Sequence, residues 1–225
     1  MTFSVVGRCA DTGMTGVAIT TSSIAVGSRC PYARAGVGAV TTQNIADPSL
    51  GPAVLDLMQA GKNAQDAVAA IMKNRTHADY RQIAAIDSNG MTSSFTGKNI
   101  LGTNAVISGT DCIGAGNLLS DEAVPAAMVA SFEANHATHL ADRLVTALQA
   151  GIDAGGEEGP THSTALIVAH EHAWPLVDLR IDWSESCPVT ILRSLWDDYE
   201  PQMHPYLLRA IDPAAAPSYG VAGDE

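Results

Sequence analysis

Apolar and polar residues alternate along FSVVGRC, pause at ADTG, and alternate again along MTGVAITT. A period of two marks a strand with one face toward a core, and Asp11 with Gly13 supplies turn chemistry, so the chain is expected to open with a hairpin. SSIAVGS predicts a third short strand, and GVGAVTTQ, from Gly36 to Gln43, a further one. The glycines at 36 and 38 are expected to let another element pack closely on that strand.

The period then lengthens. Between Pro48 and Ala60 the apolar residues Val54, Leu55, Leu57 and Met58 fall at helical spacing, and Gly61 is placed to stop the helix. Asn63 is a cap for a second helix that carries Ala67, Val68, Ile71 and Met72. RQIAAIDSNGMTSSFTG returns to strands, with Asn89-Gly90 at a hairpin bend. Short strands are expected around Ala105–Ser108 and Cys112–Gly116. A second helix pair follows: Ser120 is read as the cap of a run from Asp121 to about Asn135, with Glu122 near its start, and Ala137 to Ala150 forms the partner. THSTALIVAHEHAWPLVDLRID reads as a hairpin bent at HEHAWP, and a last helix is expected from Ser186 or Cys187 through Asp198.

Blocks of strands alternating with blocks of helices indicate an α+β layered fold rather than parallel βαβ units. No internal repeat or linker divides the chain, so residues 1–199 are read as one domain and 200–225 as a Pro/Ala-rich tail. A tail of that composition gains order by docking, against the domain body or a second subunit.

Composition narrows the function. With 225 residues, nearly half apolar, the chain can bury a sizeable core. The net charge of −12 argues against nucleic acid and against an anionic membrane surface, both of which need clustered Lys and Arg. No apolar run approaches the roughly 18 residues of a membrane span, and the N-terminus lacks signal-peptide character, so a cytoplasmic location is expected. Cys9, Cys30, Cys112 and Cys187 are scattered and are read as free thiols.

Several blocks together carry a resemblance: TFSVVGR, DTGMTGVAITT, AVGSRCPYARAGVGAVTTQ, DPSLGPAVLDLMQAG and GAGNLLS. From Thr2 to about Leu195 the chain resembles a bacterial family catalogued as a domain of unknown function and grouped with the N-terminal-nucleophile (Ntn) hydrolases. The resemblance implies a four-layer αββα sandwich, two antiparallel sheets between helix layers. It also implies a chemistry in which the first residue of the mature chain attacks with its side chain and its own α-amine is the base. An α-amine has a pKa of roughly 7.7–8.0, close enough to neutrality to take a hydroxyl proton. A threonine hydroxyl is a poor nucleophile without such a base. Thr2 would carry both groups once Met1 is removed, and methionine aminopeptidases accept threonine as second residue. A threonine at this position also starts many ordinary strands.

Other candidates follow from Thr2. Ser4 shares its strand face. Thr20, Thr21 and Ser22 end the strand expected to pair with the first, and are candidate substrate contacts. Arg34 is a candidate to tune the amine or hold a substrate carboxylate. Gln43 and Asn44 end another strand and offer amide donors. Asn117, after the small residues Gly114, Ala115 and Gly116, is the preferred donor to a developing oxyanion.

The expected activity is hydrolysis of a small amide or related C–N bond, with no cofactor and no metal. The alternatives are a non-catalytic Ntn-like fold that binds a small ligand or serves in assembly, and a hydrolase using Ser4 or Ser22 as nucleophile. A homodimer or higher homo-oligomer is expected from the docked tail and the habit of Ntn folds. His170-Glu171-His172 and the pair His136 and His139 lack a third ligand at recognisable spacing for zinc. His162 reads as a surface residue. Asp178, Arg180 and Asp182 share one strand face and read as a solvent-facing edge with an internal ion pair. No phosphate loop, GxSxG elbow or dinucleotide fingerprint is present.

Overall fold

A computed structural model of the chain describes residues 1–222. In chain order it contains β1 (Thr2–Arg8), β2 (Thr15–Thr21), a short 3-10 turn at Val26–Ser28, β3 (Pro31–Arg34) and β4 (Gly38–Asn44). Helices α1 (Leu50–Gln59) and α2 (Ala64–Met72) follow, then β5 (Arg81–Asp87), β6 (Thr92–Thr96), β7 (Asn104–Gly109) and β8 (Cys112–Asn117). The chain continues with α3 (Val124–Ala134), α4 (Leu140–Asp153), β9 (Ser163–Ala169), β10 (Val177–Ile181) and α5 (Pro188–Ile211).

The strands form two antiparallel sheets, one of six strands in the order β10-β9-β2-β1-β8-β7 and one of four in the order β3-β4-β5-β6. Period-two alternation sends each strand's side chains into different layers. Phe3, Val5 and Ala18 meet Phe132, Leu144 and Trp196 of α3, α4 and α5. Val6, Val17 and Ile19 meet Ala39, Ala84 and Ile86 of the second sheet. Val40, Ile83 and Ala85, on that sheet's other face, meet Val54, Leu55 and Val68 of α1 and α2. The result is the four-layer αββα order. No helix among the described residues is long and apolar enough to cross a membrane.

Local chemistry explains most boundaries. Asn63 caps α2 by accepting from the Asp66 N–H at 2.8 Å. Gly61, at φ 95°, ends the α1 turn in the left-handed region that glycine tolerates. Gly38 lets its strand pass close, since a Cβ there would fall 2.2 Å from the Ile86 carbonyl oxygen; Gly36 faces open space and is a turn residue.

Four expectations are corrected. SSIAVGS is not a strand: Ala25 takes φ 52° and the Val26 N–H donates to Ser163 Oγ at 3.1 Å, which bends the segment into the 3-10 turn. Pro31–Arg34, unassigned from the pattern, instead pairs with β4. Ser120 does not cap α3; its hydroxyl donates to the Gly156 carbonyl at 3.2 Å, and Asp121 accepts from the Ala123 N–H at 2.7 Å. The last helix does not stop at Asp198. It continues past Pro201 and Pro205 to Ile211, because Tyr199 and Met203, four residues apart, keep one stripe on the core. Proline removes helix hydrogen bonds, and this packing offsets that cost. Beyond the helix, Tyr219 lies under the Arg209 guanidinium, 3.7 Å from it.

Strand β10 is the edge of the six-stranded sheet, and Arg180 holds Asp178 in a two-pronged ion pair of 2.7 and 2.9 Å. Its inward residues Val177 and Leu179 are buried. This is the solvent-facing edge that the alternation of VDLRID predicts.

Candidate functional site

Strand β1 lies between β2 and β8, and the register puts Thr2 opposite Thr21 on one side and Asn117 on the other. Directly opposite residues share a face, so the three side chains look into the space between the sheets at one buried end of it. Thr2 Oγ1 lies 3.1 Å from Thr21 Oγ1. Both hydroxyls donate to the Met1 carbonyl oxygen, Thr2 at 2.5 Å. Thr2 is itself only 6% exposed, because Met1 covers it.

Beneath these residues the inter-sheet layer is polar. Ser4 donates to Gln43 Oε1 at 2.7 Å, Gln43 donates to Gln82 Oε1 at 2.7 Å, and Gln82 donates to the Gly116 carbonyl at 3.1 Å. Asn117 donates to the same Gln82 oxygen at 3.2 Å. Each member is buried, and each donates at least one hydrogen bond to another, which favours a rigid network. One Asn117 N–H remains for a ligand, while its Oδ1 is buried with no partner.

The second feature is Glu157, which reaches the site from the loop after α4. That loop is tied to the end of β8, where Leu119 bridges Glu157 and the Glu158 N–H donates to the Leu118 carbonyl at 3.1 Å. Glu157 is 6% exposed, and neither carboxyl oxygen has a hydrogen-bond partner of good geometry among the described residues. Burial pushes its pKa up to about 8, against the opposing influence of the Met1 amino group and of Ser22. Glu157 also lines a cavity of about 280 Å³ with Gly159, Pro160, Thr161, Glu185 and Cys187.

The sequence-derived candidates therefore divide. Thr2, Thr21, Asn117, Ser4 and Gln43 come together, with Ser4 and Gln43 as supports rather than surfaces. Ser22 joins them through Glu157. Thr20 points to the other face of β2 and donates to the Ser163 carbonyl at 2.9 Å. Asn44, at φ 73°, ties loops together, donating to the Tyr80 carbonyl at 2.8 Å and accepting from the Leu101 N–H at 3.2 Å. Arg34 sits opposite Gly38, at the far end of its sheet, bound to Asp56 at 2.9 Å and Gln59 at 2.6 Å. The cation near the site is Arg29, which donates to Ser23 Oγ at 2.7 Å, and Ser23 Oγ lies 3.3 Å from Thr21 Oγ1.

Gln82, Glu157 and Arg29 were missed. Gln82 had a signal: it is the polar residue in RQIAAID that shares parity with Ala84 and Ile86. Glu157, in GGEEGP, reads as ordinary loop polarity. The histidines lie elsewhere. His162 stacks on Trp183 with centroids 4.3 Å apart, His139 caps α4 by accepting from the Ala141 N–H at 3.2 Å, and His172 stacks on Trp174.

Comparison with known proteins places this geometry. A family model described as a family of unknown function, DUF1028, matches residues 2–192. The chain belongs to this family. A solved member, protein SPO2555 from Silicibacter pomeroyi, is similar over 88% of this chain and 85% of that chain, at 30% identity and a TM-score of 0.82. Anbu, the ancestral beta-subunit from Yersinia bercovieri, aligns with 91% of this chain and 97% of that chain at 12% identity and a TM-score of 0.37. No curated protein matches. The matched span contains every residue of the site just described except Met1.

Proposed function

We propose that the chain is an Ntn-type amidohydrolase whose nucleophile is Thr2 after removal of Met1. The observation that carries this reading is the register that sets Thr21 and Asn117 on either side of Thr2 at the buried end of the inter-sheet layer. Thr2 Oγ attacks the carbonyl carbon of a small amide while the Thr2 α-amine takes the hydroxyl proton. The free Asn117 N–H and the Thr21 hydroxyl stabilise the oxyanion. The C–N bond breaks as the Thr2 ammonium returns the proton to the leaving amine. Water, deprotonated by the same amine, then hydrolyses the Thr2 ester. The polar network through Ser4, Gln43 and Gln82 fixes Asn117 and leaves the donors little to reorganise.

The experiment is a screen of small amides with protein whose intact mass shows loss of Met1, with Thr2→Ala as control. Turnover that disappears in Thr2→Ala supports the mechanism. Fully retained Met1 on active protein would sink it, because the Thr2 nitrogen is then an amide. A second reading, a non-catalytic ligand-binding or assembly protein, is favoured by the burial of Thr2 beneath Met1. It predicts no turnover whether or not Met1 is present. The proposal extends to a homodimer or larger homo-oligomer, which light scattering tests.

A further inference from the structure

Met1 is held at two points, with a buried carboxyl nearby. Its carbonyl oxygen takes both threonine hydroxyls. Its amino group acts electrostatically on Glu157, opposing the rise that burial causes in that carboxyl's pKa. Its side chain lies against Gly159, where an added Cβ would come within 3.3 Å of the methionine methyl carbon. Met1 is an aminoacyl group on the nitrogen of Thr2. An acyl group on Thr2 Oγ1 would hang from the same residue three bonds away, beside the same pocket. Glu157 and Gly159, which meet Met1, also line the 280 Å³ cavity, so the ground under Met1 runs on into it.

Resting on the Thr2 mechanism, we propose that the place taken by Met1 is the acyl subsite of the enzyme, and that its substrates are amides of amino acids with a free α-amine. Glu157 receives the substrate ammonium. A buried carboxyl is costly to ionise by itself, and a bound ammonium offsets that cost. Thr21 holds the carbonyl oxygen, as it holds that of Met1. Gly159 leaves room for the side chain, and the cavity receives its far end. No Lys or Arg lines that cavity, whereas Glu157 and Glu185 do. Its volume suits one small side chain, at the lower end of ligand pockets. The step balances: Thr2 Oγ forms the new C–O bond, the substrate C–N bond breaks, and the departing amine leaves with the hydroxyl proton carried by the Thr2 amine.

The test separates the subsite from the nucleophile. Protein with Thr2→Ala, shown by mass to lack Met1, is titrated by calorimetry with L-methioninamide and with N-acetyl-L-methioninamide. Acetylation removes the charge and adds bulk, and the Glu157→Gln comparison separates the two. The free amine is expected to bind 10- to 100-fold more tightly, as a charge-assisted bond provides. That preference should vanish when Glu157→Gln is added. Equal binding of the two amides overturns the inference, as does a Glu157→Gln effect that is the same for both, which would assign Glu157 to the Thr2 amine. The wild-type comparison of the two amides needs no Glu157 variant, so a misfolded variant does not decide the matter. In parallel, protein with Thr2 intact is treated with the p-nitrophenyl esters of alanine and N-acetylalanine, and acylation is read by mass. Acylation of Thr2 by both esters at equal rate keeps the mechanism and overturns the subsite. Acylation by neither, with the binding preference intact, overturns the mechanism and keeps the subsite.

Discussion

The two ends of the sandwich differ in what their polar groups are doing. The far end holds the larger cavity, about 490 Å³, lined by Arg34, Gln59, Glu171, His172 and Trp174. Its groups are occupied and wet: Arg34 is held by Asp56 and Gln59, and His172 stacks on Trp174, which is 46% exposed. The Thr2 end has the smaller cavity, yet it keeps polar capacity out of water. Both Glu157 oxygens and Asn117 Oδ1 are buried there without a hydrogen-bond partner of good geometry. A paired group in water has little left to give a ligand, whereas a buried unpaired group gains from a bound water or ligand. Room alone therefore does not mark the site. Arg8 Nε and Thr15 Oγ1 at the far end are also buried without partners, so what sets the Thr2 end apart is a buried carboxyl together with a buried amide.

Thr2→Ala presses hardest on this contrast. It is expected to lower kcat/KM by roughly a thousandfold or more, the scale of losing a nucleophile. Arg34→Ala, at the far end, should leave kcat/KM within about twofold. Steady-state kinetics on any amide that the screen identifies checks both, and equal losses would erase the distinction between the ends.

Gln82→Leu comes next. It orphans the donors of Gln43 and Asn117 and the Gly116 carbonyl in a dry layer. Each orphan costs about 1–3 kcal/mol, less whatever relaxation recovers, so a loss of about 3 kcal/mol is expected in urea unfolding. A loss below about 1 kcal/mol would mean that water enters this end and that the network is not a rigid support.

Glu157 provides a pH signature. The folded carboxyl keeps its proton up to about pH 8, while the unfolded one releases it near the ordinary 4.5. A raised folded pKa means that its contribution is full below about pH 4.5 and is lost as pH rises through about 8. Wild-type stability should therefore fall relative to Glu157→Gln across that window, by thermal unfolding at a series of pH values. Parallel curves would show that the carboxyl is solvated.

The smallest effect belongs to the far end. Arg34→Ala removes an ion pair whose Asp56 side chain is 68% exposed, and should cost no more than about 1 kcal/mol. A larger cost in chemical denaturation would mean that the far end is as tightly constructed as the near one.

Much of the fold is legible in the pattern. The opening hairpin, the helix pair with its Asn63 cap, the Asn89-Gly90 bend and the β9–β10 hairpin all rest on signals within a few residues. The strand at Pro31–Arg34 and the extension of α5 past its prolines were not legible, because packing against distant residues stabilises each. The site divides in the same way. Thr2, Thr21 and Asn117 were reachable from strand ends and small residues. Arg34 drew attention as a cation, but a four-residue strand carries it to the wrong end of its sheet. Gln82 carried a faint signal in its parity with Ala84 and Ile86, whereas Glu157 comes from a distant loop and nothing in its neighbours marks it.

The sequence by itself determined the period of each segment, its turns and caps, and hence which residues share a face. Those properties arise from backbone geometry and neighbours, and they persist wherever the segment packs. Only the tertiary structure decided the register that sets Thr2 between Thr21 and Asn117, the stacking that links Ser4 to Gln43, and the loop of Glu157 and Gly159 that comes up to Met1. Each depends on contacts summed across distant segments, and a slip of one residue would turn Thr2 away from the cleft while leaving the period of its strand unchanged.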